Sequence, residues 1–136
     1  MTNVALTGLA RDLARRAAEG RPVRIGVIGS GEMGTDLVTQ GMLMPGISVC
    51  AVSTRRPHTA RAAIRIAYGD EAMAVEADTA SKVTGAIESG KIEITSNELL
   101  VPNPLIDVVI DATGKPGVAA DFALMAMEHG KHLVMM

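Results

Sequence analysis

The sequence predicts an α/β fold in which a doubly wound, mainly parallel sheet follows an N-terminal helix. Short runs rich in β-branched residues alternate with segments whose apolar residues recur at helical spacing. Most strand-like runs are apolar throughout, as in strands that are covered on both faces. Because strands alternate with helices along the chain, we expect the strands to be parallel and joined by right-handed crossovers. The predicted strands occupy residues 23–28, 47–53, 91–95, 106–113 and 133–136.

Length and composition allow one domain and exclude several classes of partner. The chain has 136 residues, of which 48% are hydrophobic, and this suffices for one buried core. A net charge of −2 and an aromatic content of 1% argue against a nucleic-acid partner, because no basic field or base-stacking surface is present. No stretch approaches the roughly 18 to 20 apolar residues of a membrane span, so we expect no membrane partner.

The single cysteine, Cys50, lies in an apolar run and has no second cysteine with which to form a disulfide. We interpret it as a small core residue, which suits a reducing compartment. The first residues lack the uninterrupted apolar core of a signal peptide. We therefore expect a cytoplasmic location.

Residues 1–22 form a predicted amphipathic helix that precedes the sheet. Gly20 and Pro22 end it, and Asp12 and Glu19 argue against a transit peptide. We expect this helix to pack on the domain or on a partner subunit of a homo-oligomer. Its apolar side consists of Leu6, Leu9, Leu13 and Ala17.

The first predicted strand stops at three glycines with the spacing Gly-x-Gly-x-x-Gly, which are Gly29, Gly31 and Gly34. The first permits a tight turn, the second lets a pyrophosphate approach the backbone, and the third lets the following helix pack close to the sheet. An apolar strand precedes the motif and a helical pattern follows it, which is the context that gives the motif weight. Residues 23–136 are therefore predicted to form a dinucleotide-binding Rossmann domain, with the pyrophosphate on free N–H groups at the helix start.

The end of the second predicted strand indicates which dinucleotide is bound. An NAD-binding domain carries an acidic residue about 20 positions after the glycines, but here residues 53–56 read Ser-Thr-Arg-Arg. No acidic residue occurs between Asp36 and Asp70. The hydroxyls of Ser53 and Thr54 and the guanidinium groups would bind the ribose 2′-phosphate of NADP, whereas a carboxylate would repel it. We therefore predict NADP in preference to NAD, bound by Arg55 and Arg56.

A helix over residues 57–68 is predicted next, with Arg61 and Arg65 on its solvated face. Residues 70–90 are interpreted as an insertion that contains a second helix with Val83 and Ile87 on one face. The acidic residues of this segment match no metal-ligand spacing, and we expect them at the surface.

The strand at residues 106–113 ends at the carboxyl edge of the predicted sheet, in Ala112-Thr113-Gly114. Small residues there allow the ribose and nicotinamide half of a cofactor to approach, although an ordinary turn remains an alternative for Thr113. Asp107 and Asp111 are interpreted as structural, since no histidine or cysteine partner is identifiable. No metal site is predicted, because neither His129 nor His132 has a companion ligand at a recognised spacing.

The chain resembles a known bacterial group in its opening helix and in the runs at residues 23–34, 64–70 (IRIAYGD), 103–114 (NPLIDVVIDATG) and 130–136 (GKHLVMM). It is similar to the N-terminal NAD(P)-binding domain of the homoserine-dehydrogenase-like oxidoreductases that carry a C-terminal SAF domain. This group includes reductoisomerase-like enzymes that act on 1-deoxy-D-xylulose 5-phosphate. The family's catalytic and metal-binding groups lie beyond Met136, so the catalytic residues are unknown here. The resemblance implies cofactor contacts at Gly29, Ser30, Gly31, Glu32, Met33, Gly34, Ser53, Thr54, Arg55, Arg56, Ala112, Thr113 and Gly114.

The expected function is that of an NADP(H)-binding domain of an oxidoreductase, which moves hydride to or from a small polar substrate with or without a phosphate group. The nicotinamide would do the chemistry, and the small-molecule substrate would bind in a catalytic domain absent from this chain. The alternatives are a free-standing, non-catalytic NADP-binding or subunit-interaction module, and an inactive truncated product. A methyltransferase that binds S-adenosylmethionine is disfavoured, because no acidic residue follows the second strand.

Overall fold

The computed structural model describes residues 7–136, which form a six-stranded, all-parallel sheet flanked by helices. The strand order is β3-β4-β2-β1-β5-β6. The strands are β1 (Val23–Ile28), β2 (Ile47–Ser53), β3 (Ala74–Glu76), β4 (Ile92–Thr95), β5 (Val108–Asp111) and β6 (His132–Met135). The helices are α1 (Gly8–Ala18), α2 (Glu32–Met42), α3 (Pro57–Tyr68), α4 (Ala80–Glu88), α5 (Asn97–Leu100) and α6 (Pro116–Glu128).

The core consists of two apolar layers, one on each face of the sheet. On one face, Val38 of α2 and Ile64 of α3 pack against strand residues that include Val27. On the other face, Val83 of α4 and Phe122 of α6 belong to the second layer. A parallel sheet covered on both faces explains why its central strands are apolar throughout rather than alternating. The predicted doubly wound α/β fold is therefore confirmed.

The best-predicted elements are those with an uninterrupted local pattern. β1, β2 and α3 have the expected bounds, and Gly69 ends α3 with a left-handed φ of 70°. The strand expected at residues 106–113 covers only Val108–Asp111. Asp107, just before it, is exposed, and its carboxylate accepts a hydrogen bond from the Arg24 backbone N–H at 2.9 Å. β6 begins at His132, one residue before the expected start.

The insertion expected at residues 70–90 is corrected by the structure, because this segment contains a strand of the sheet. β3 pairs in parallel with β4 and forms one edge of the sheet. It has only three residues, which is too short for a periodic pattern. The acidic residues of this segment are exposed, as expected. Two of them form ion pairs with α3: Glu76 lies 3.2 Å from Arg61, and Glu71 lies 3.1 Å from Arg65.

The N-terminal helix is present as α1, although residues 2–6 of the predicted helix, with Leu6 among them, lie outside the described part of the chain. It lies against the loop before β2, where a Cβ atom added to Gly46 would lie 2.1 Å from the Leu13 carbonyl oxygen. No residue of α1 is buried, and Leu9 is 74% exposed. Within residues 7–136, no helix is both long enough and apolar enough to cross a membrane.

Candidate functional site

A cavity of about 470 Å³ opens at the carboxyl edge of the sheet, above the loops that follow β1, β2, β4 and β5. Open α/β sheets bind their ligands at this edge, where the crossovers change direction on either side of the central strand. The structure thus brings together four segments that are far apart in the sequence. The cavity is lined by Ile28, Gly29, Ser30, Gly31, Ser53, Thr54, Arg55, Arg56, Ser96, Asn97, Glu98, Ala112, Thr113, Lys115, Val118 and Phe122.

Two glycines of the motif are required by the packing of the chain itself. Gly29 has a φ of 103°, and a Cβ atom there would lie 3.0 Å from the Ala112 carbonyl oxygen. Gly34 is buried in the first turn of α2, and a Cβ atom there would lie 2.2 Å from the Gly29 carbonyl oxygen. Only glycine lets α2 pack this closely on the turn, which agrees with the role expected for Gly34.

Gly31, the middle glycine of the motif, is not required by any contact among the described residues. It precedes α2 with a φ of −74°, which any residue can adopt, and a Cβ atom added there meets no atom within 4 Å. No side chain caps the N-terminus of α2, so the free N–H groups of its first turn face the cavity edge without a side-chain partner among the described residues. Gly31 therefore leaves open a space that a molecule in the cavity could occupy.

Four of the residues expected to contact a cofactor do not line the cavity. Gly34 is buried, as described above, whereas Glu32 and Met33 are exposed on the first turn of α2. Glu32 is well placed to stabilise the positive end of the helix dipole. Gly114 adopts a φ of 64° in the turn after β5 and is exposed. Cofactor contact by these four residues stays a prediction.

A cluster of hydroxyl groups joins the glycine motif to the loop after β2. The oxygens of Ser30 and Thr54 lie 2.6 Å apart, and Ser30 also shares a hydrogen bond with Thr59 of α3. Thr54 Oγ1 accepts a further hydrogen bond from the Arg56 N–H at 3.0 Å. The buried Ser30 side chain thus connects the glycine motif to the loop after β2 and to α3.

The loop after β4 completes this side of the cavity. The sequence analysis did not assign this loop to the site. The Ser53 hydroxyl donates a hydrogen bond to the side-chain oxygen of Asn97, and Ser96 and Glu98 line the cavity beside it. These residues could have been found from their position directly after a predicted strand, because the carboxyl ends of parallel strands meet at one edge of the sheet. The hydroxyls of Ser53 and Thr54 thus take part in internal hydrogen bonds, and the phosphate contact expected of them stays a prediction.

The charges around the cavity differ in sign from the net charge of the chain. Arg55, Arg56 and Lys115 line it against one carboxylate, that of Glu98, although the whole chain carries a net charge of −2. Within the described residues, none of these three cations forms an ion pair. A cavity with this excess of cations attracts a polyanionic ligand.

The turn after β5 is organised by a buried carboxylate. Asp111 is 2% exposed and accepts hydrogen bonds from the Thr113 N–H at 2.9 Å and the Thr113 hydroxyl at 2.7 Å. Thr113 Oγ1 in turn accepts a hydrogen bond from the Lys115 N–H at 3.2 Å. These contacts agree with the structural role expected for Asp111. They also fix the backbone at Lys115, which lines the cavity.

Two buried titratable groups lie away from the cavity. Burial raises the pKa of the Cys50 thiol to about 12, so Cys50 is an inert core residue. Burial also raises the pKa of Glu93, in the middle of β4, to about 7. Among residues 7–136, no group of three histidine, cysteine, aspartate or glutamate side chains is placed to hold a metal ion.

Sequence comparison shows similarity to an oxidoreductase, whereas no family model matches the chain. The homoserine dehydrogenase of Methylobacillus glycogenes is 29% identical over 115 residues, which cover 84% of this chain and 24% of that protein. Among solved structures, yvaA from Bacillus subtilis, a proposed oxidoreductase, has a TM-score of 0.57 at 16% identity. That match covers 84% of this chain and 26% of the other.

The fold and the comparisons agree at the level of architecture. The chain is an α/β domain with a Rossmann-like parallel sheet, and its sequence is similar to part of a dehydrogenase. It spans about a quarter of the length of the homoserine dehydrogenase that it matches.

Proposed function

We propose that the chain is the NADP(H)-binding domain of an oxidoreductase that transfers hydride between the nicotinamide and a small polar substrate, with or without a phosphate group. The observation that carries the proposal is the pair Arg55 and Arg56, which line the cavity at the end of β2 without a carboxylate partner among the described residues. The glycine motif lines the same cavity, so one ligand can reach both.

The end of β2 is the place where this fold meets the adenosine ribose. A 2′-phosphate carries close to two negative charges and binds a guanidinium fork through charge-assisted hydrogen bonds. The hydroxyls of Ser53 and Thr54 already have internal hydrogen bonds. We therefore expect the two arginines to make the main contacts with the phosphate, and these hydroxyls to make the weaker ones.

The rest of the cavity fits the other parts of the dinucleotide. The open space at Gly31 and the N–H groups at the start of α2 suit the pyrophosphate, and Ala112 and Thr113 suit the nicotinamide half. The nicotinamide would supply the hydride acceptor or donor, while the residues of this chain bind it and fix its position. Residues 1–22 are proposed to be a separate N-terminal helix and residues 23–136 the cofactor domain.

The substrate would bind in a further domain of the whole protein, since the matched homoserine dehydrogenase is about four times as long as the matching region. We propose that this enzyme is homoserine-dehydrogenase-like or resembles the SAF-domain reductoisomerases of deoxyxylulose phosphate. A cytoplasmic location is proposed with it, because the lone Cys50 is buried as a free thiol. A homo-oligomer in which α1 packs on a partner subunit is also proposed.

Calorimetric titration with NADPH and NADH tests the cofactor assignment. We expect NADPH to bind at least about 10-fold more tightly than NADH, because a hydrogen bond to a charged group contributes about 1.5–3 kcal/mol. Arg55→Ala and Arg56→Ala should each lose most of this difference and bind NADH as before. The matched control is Arg61→Ala, whose guanidinium is paired with Glu76 outside the cavity and whose loss should leave both affinities unchanged.

The affinities of the unchanged chain for NADPH and NADH decide the cofactor assignment. Equal affinities for NADPH and NADH in the unchanged chain would overturn the NADP preference and leave a nicotinamide dinucleotide site. Absence of binding to either cofactor would overturn the proposed function as a whole.

A further inference from the structure

We infer that Lys115 is a positioning residue that binds the phosphate of the cofactor's nicotinamide half. The inference rests on the proposed function and assigns a cofactor contact beyond the glycine motif and the arginines. Lys115 lines the cavity, is exposed, and forms no ion pair among residues 7–136. Lys82, in contrast, is 2.7 Å from the Asp78 carboxylate.

The sheet places Lys115 and the two arginines on opposite sides of the glycine motif. β1 pairs with β2 on one side and with β5 on the other. Arg55 and Arg56 follow β2, whereas Lys115 follows β5. Neighbouring strands are about 4.8 Å apart, so the ends of β2 and β5 are separated by about 10 Å, with the end of β1 between them. A dinucleotide that lies across β1 therefore has cations at both ends.

The two ends correspond to the two halves of the ligand. If the arginines bind the adenosine ribose phosphate, the half that extends towards β5 carries the nicotinamide. The ligand's charge nearest to β5 is then the phosphate attached to the nicotinamide ribose. A lysine ammonium binds phosphate as a compact point charge on a flexible stem, and it needs no fixed fork geometry.

Hydrogen bonds hold the backbone of Lys115 in place, which limits the positions that its ammonium can reach. Its N–H is bonded to Thr113 Oγ1, and Thr113 is itself bonded to the buried Asp111. α6 begins directly after it, with Pro116 in the first turn. The ammonium is therefore attached to a fixed point on the β5 side of the cavity.

Titration with two ligands tests the inference on the chain as it exists. Adenosine 2′,5′-bisphosphate retains the adenosine half with both of its phosphates and lacks the nicotinamide-side phosphate. Lys115→Gln should weaken NADPH binding about 10-fold and change binding of the bisphosphate less than about twofold. Lys115→Arg, which keeps the charge, should restore NADPH affinity to within about threefold of the unchanged chain.

Two further variants make the result specific. Arg55→Ala should weaken both ligands, because both contain the 2′-phosphate. Lys91→Gln is the control for loss of a lysine outside the cavity, since Lys91 precedes β4 and its ammonium bonds the Ala72 carbonyl oxygen at 3.1 Å. It should change neither affinity.

Two outcomes would overturn the inference alone: unchanged NADPH affinity in Lys115→Gln, or an equal loss for both ligands, which would indicate a general field. Failure of the unchanged chain to bind NADPH would overturn the proposed function and this inference together.

Discussion

The floor and the rim of the cavity are held by different kinds of interaction. By the floor we mean the turns beneath the cavity that contain Gly29, Gly34 and Asp111, of which only Gly29 lines the cavity itself. Each has an internal explanation: a left-handed φ, a close backbone contact, or two hydrogen bonds accepted from Thr113. The rim consists of Gly31, Arg55, Arg56 and Lys115. Within the described residues, the added Cβ of Gly31 meets no atom, and the three cations have no ion-pair partner.

This difference separates residues that fold the domain from residues that await a ligand. A substitution in the floor is expected to act on stability first, because neighbouring backbone atoms would have to move. A substitution in the rim is expected to act on binding and to leave stability nearly unchanged. Measuring both the free energy of unfolding and the ligand affinity of each variant tests this difference.

The largest effect is expected for Gly34→Ala. Its Cβ would overlap a backbone oxygen at 2.2 Å, so α2 or the glycine turn must shift. We expect a loss of about 3 kcal/mol or more in the free energy of unfolding, measured by chemical denaturation. Gly85→Ala in α4 is the control, because its Cβ would meet no atom within 4 Å and should stabilise the helix by up to about 1 kcal/mol. Similar stabilities for the two variants would contradict the packing role of Gly34.

A pH effect is expected from Glu93, which is buried in β4 away from the cavity. Glu93 is 0% exposed, and neither carboxyl oxygen has a hydrogen-bond partner among residues 7–136. Burial raises its pKa from 4.5 to about 7, so the folded state retains a proton that the unfolded state releases. The free energy of unfolding should therefore fall as the pH rises from 4.5 to about 7, by about 3 kcal/mol in total.

Glu93→Gln removes this ionisation and keeps the side-chain shape. The difference in unfolding free energy between the unchanged chain and this variant should vary with pH in the same window, and should be constant above about pH 8. Taking the difference cancels the contribution of the other carboxylates. A difference that does not vary with pH would show that Glu93 keeps an ordinary pKa.

For the rim, Gly31→Ala is expected to change binding and not folding. The added methyl group meets no protein atom, so the free energy of unfolding should change by less than about 0.5 kcal/mol. NADPH affinity should fall about 30-fold, or about 2 kcal/mol, because the methyl group occupies the space of the pyrophosphate. Unchanged affinity, measured by calorimetry, would place the ligand elsewhere in the cavity.

The smallest effect is expected for Ser30→Ala, at the boundary between floor and rim. Loss of the Ser30 hydroxyl leaves Thr59 bonded to the Arg56 carbonyl oxygen at 2.7 Å and Thr54 bonded to the Arg56 N–H. We expect about 1 kcal/mol of lost stability and a two- to threefold smaller preference for NADPH over NADH.

Ser89→Ala is the matched control for Ser30→Ala, because its hydroxyl also bonds within the protein, to the Ala86 carbonyl oxygen at 2.9 Å. Ser89 is exposed, so this variant should lose less stability than Ser30→Ala, and it should keep the cofactor preference. A preference that is unchanged in Ser30→Ala would show that the hydroxyl cluster has no influence on the arginines.

The sequence by itself determined the fold class and the most regular elements. β1, β2 and α3 could be predicted to the residue, because continuous apolar runs, the glycines and Pro57 are local signals. The sequence also identified Gly29, Thr54, Arg55 and Thr113 as neighbours at one edge of a sheet, because parallel strands align their carboxyl ends.

Other features were decided only by tertiary structure. β3 is a strand because β4 lies beside it, and Glu93 is buried because neighbouring strands and the helix layer cover it. The hydrogen bond from Ser53 to Asn97 and the place of Lys115 opposite the arginines depend on strand order. Each of these features joins residues that are distant in the chain, and their contact free energies have no signature in local periodicity or composition.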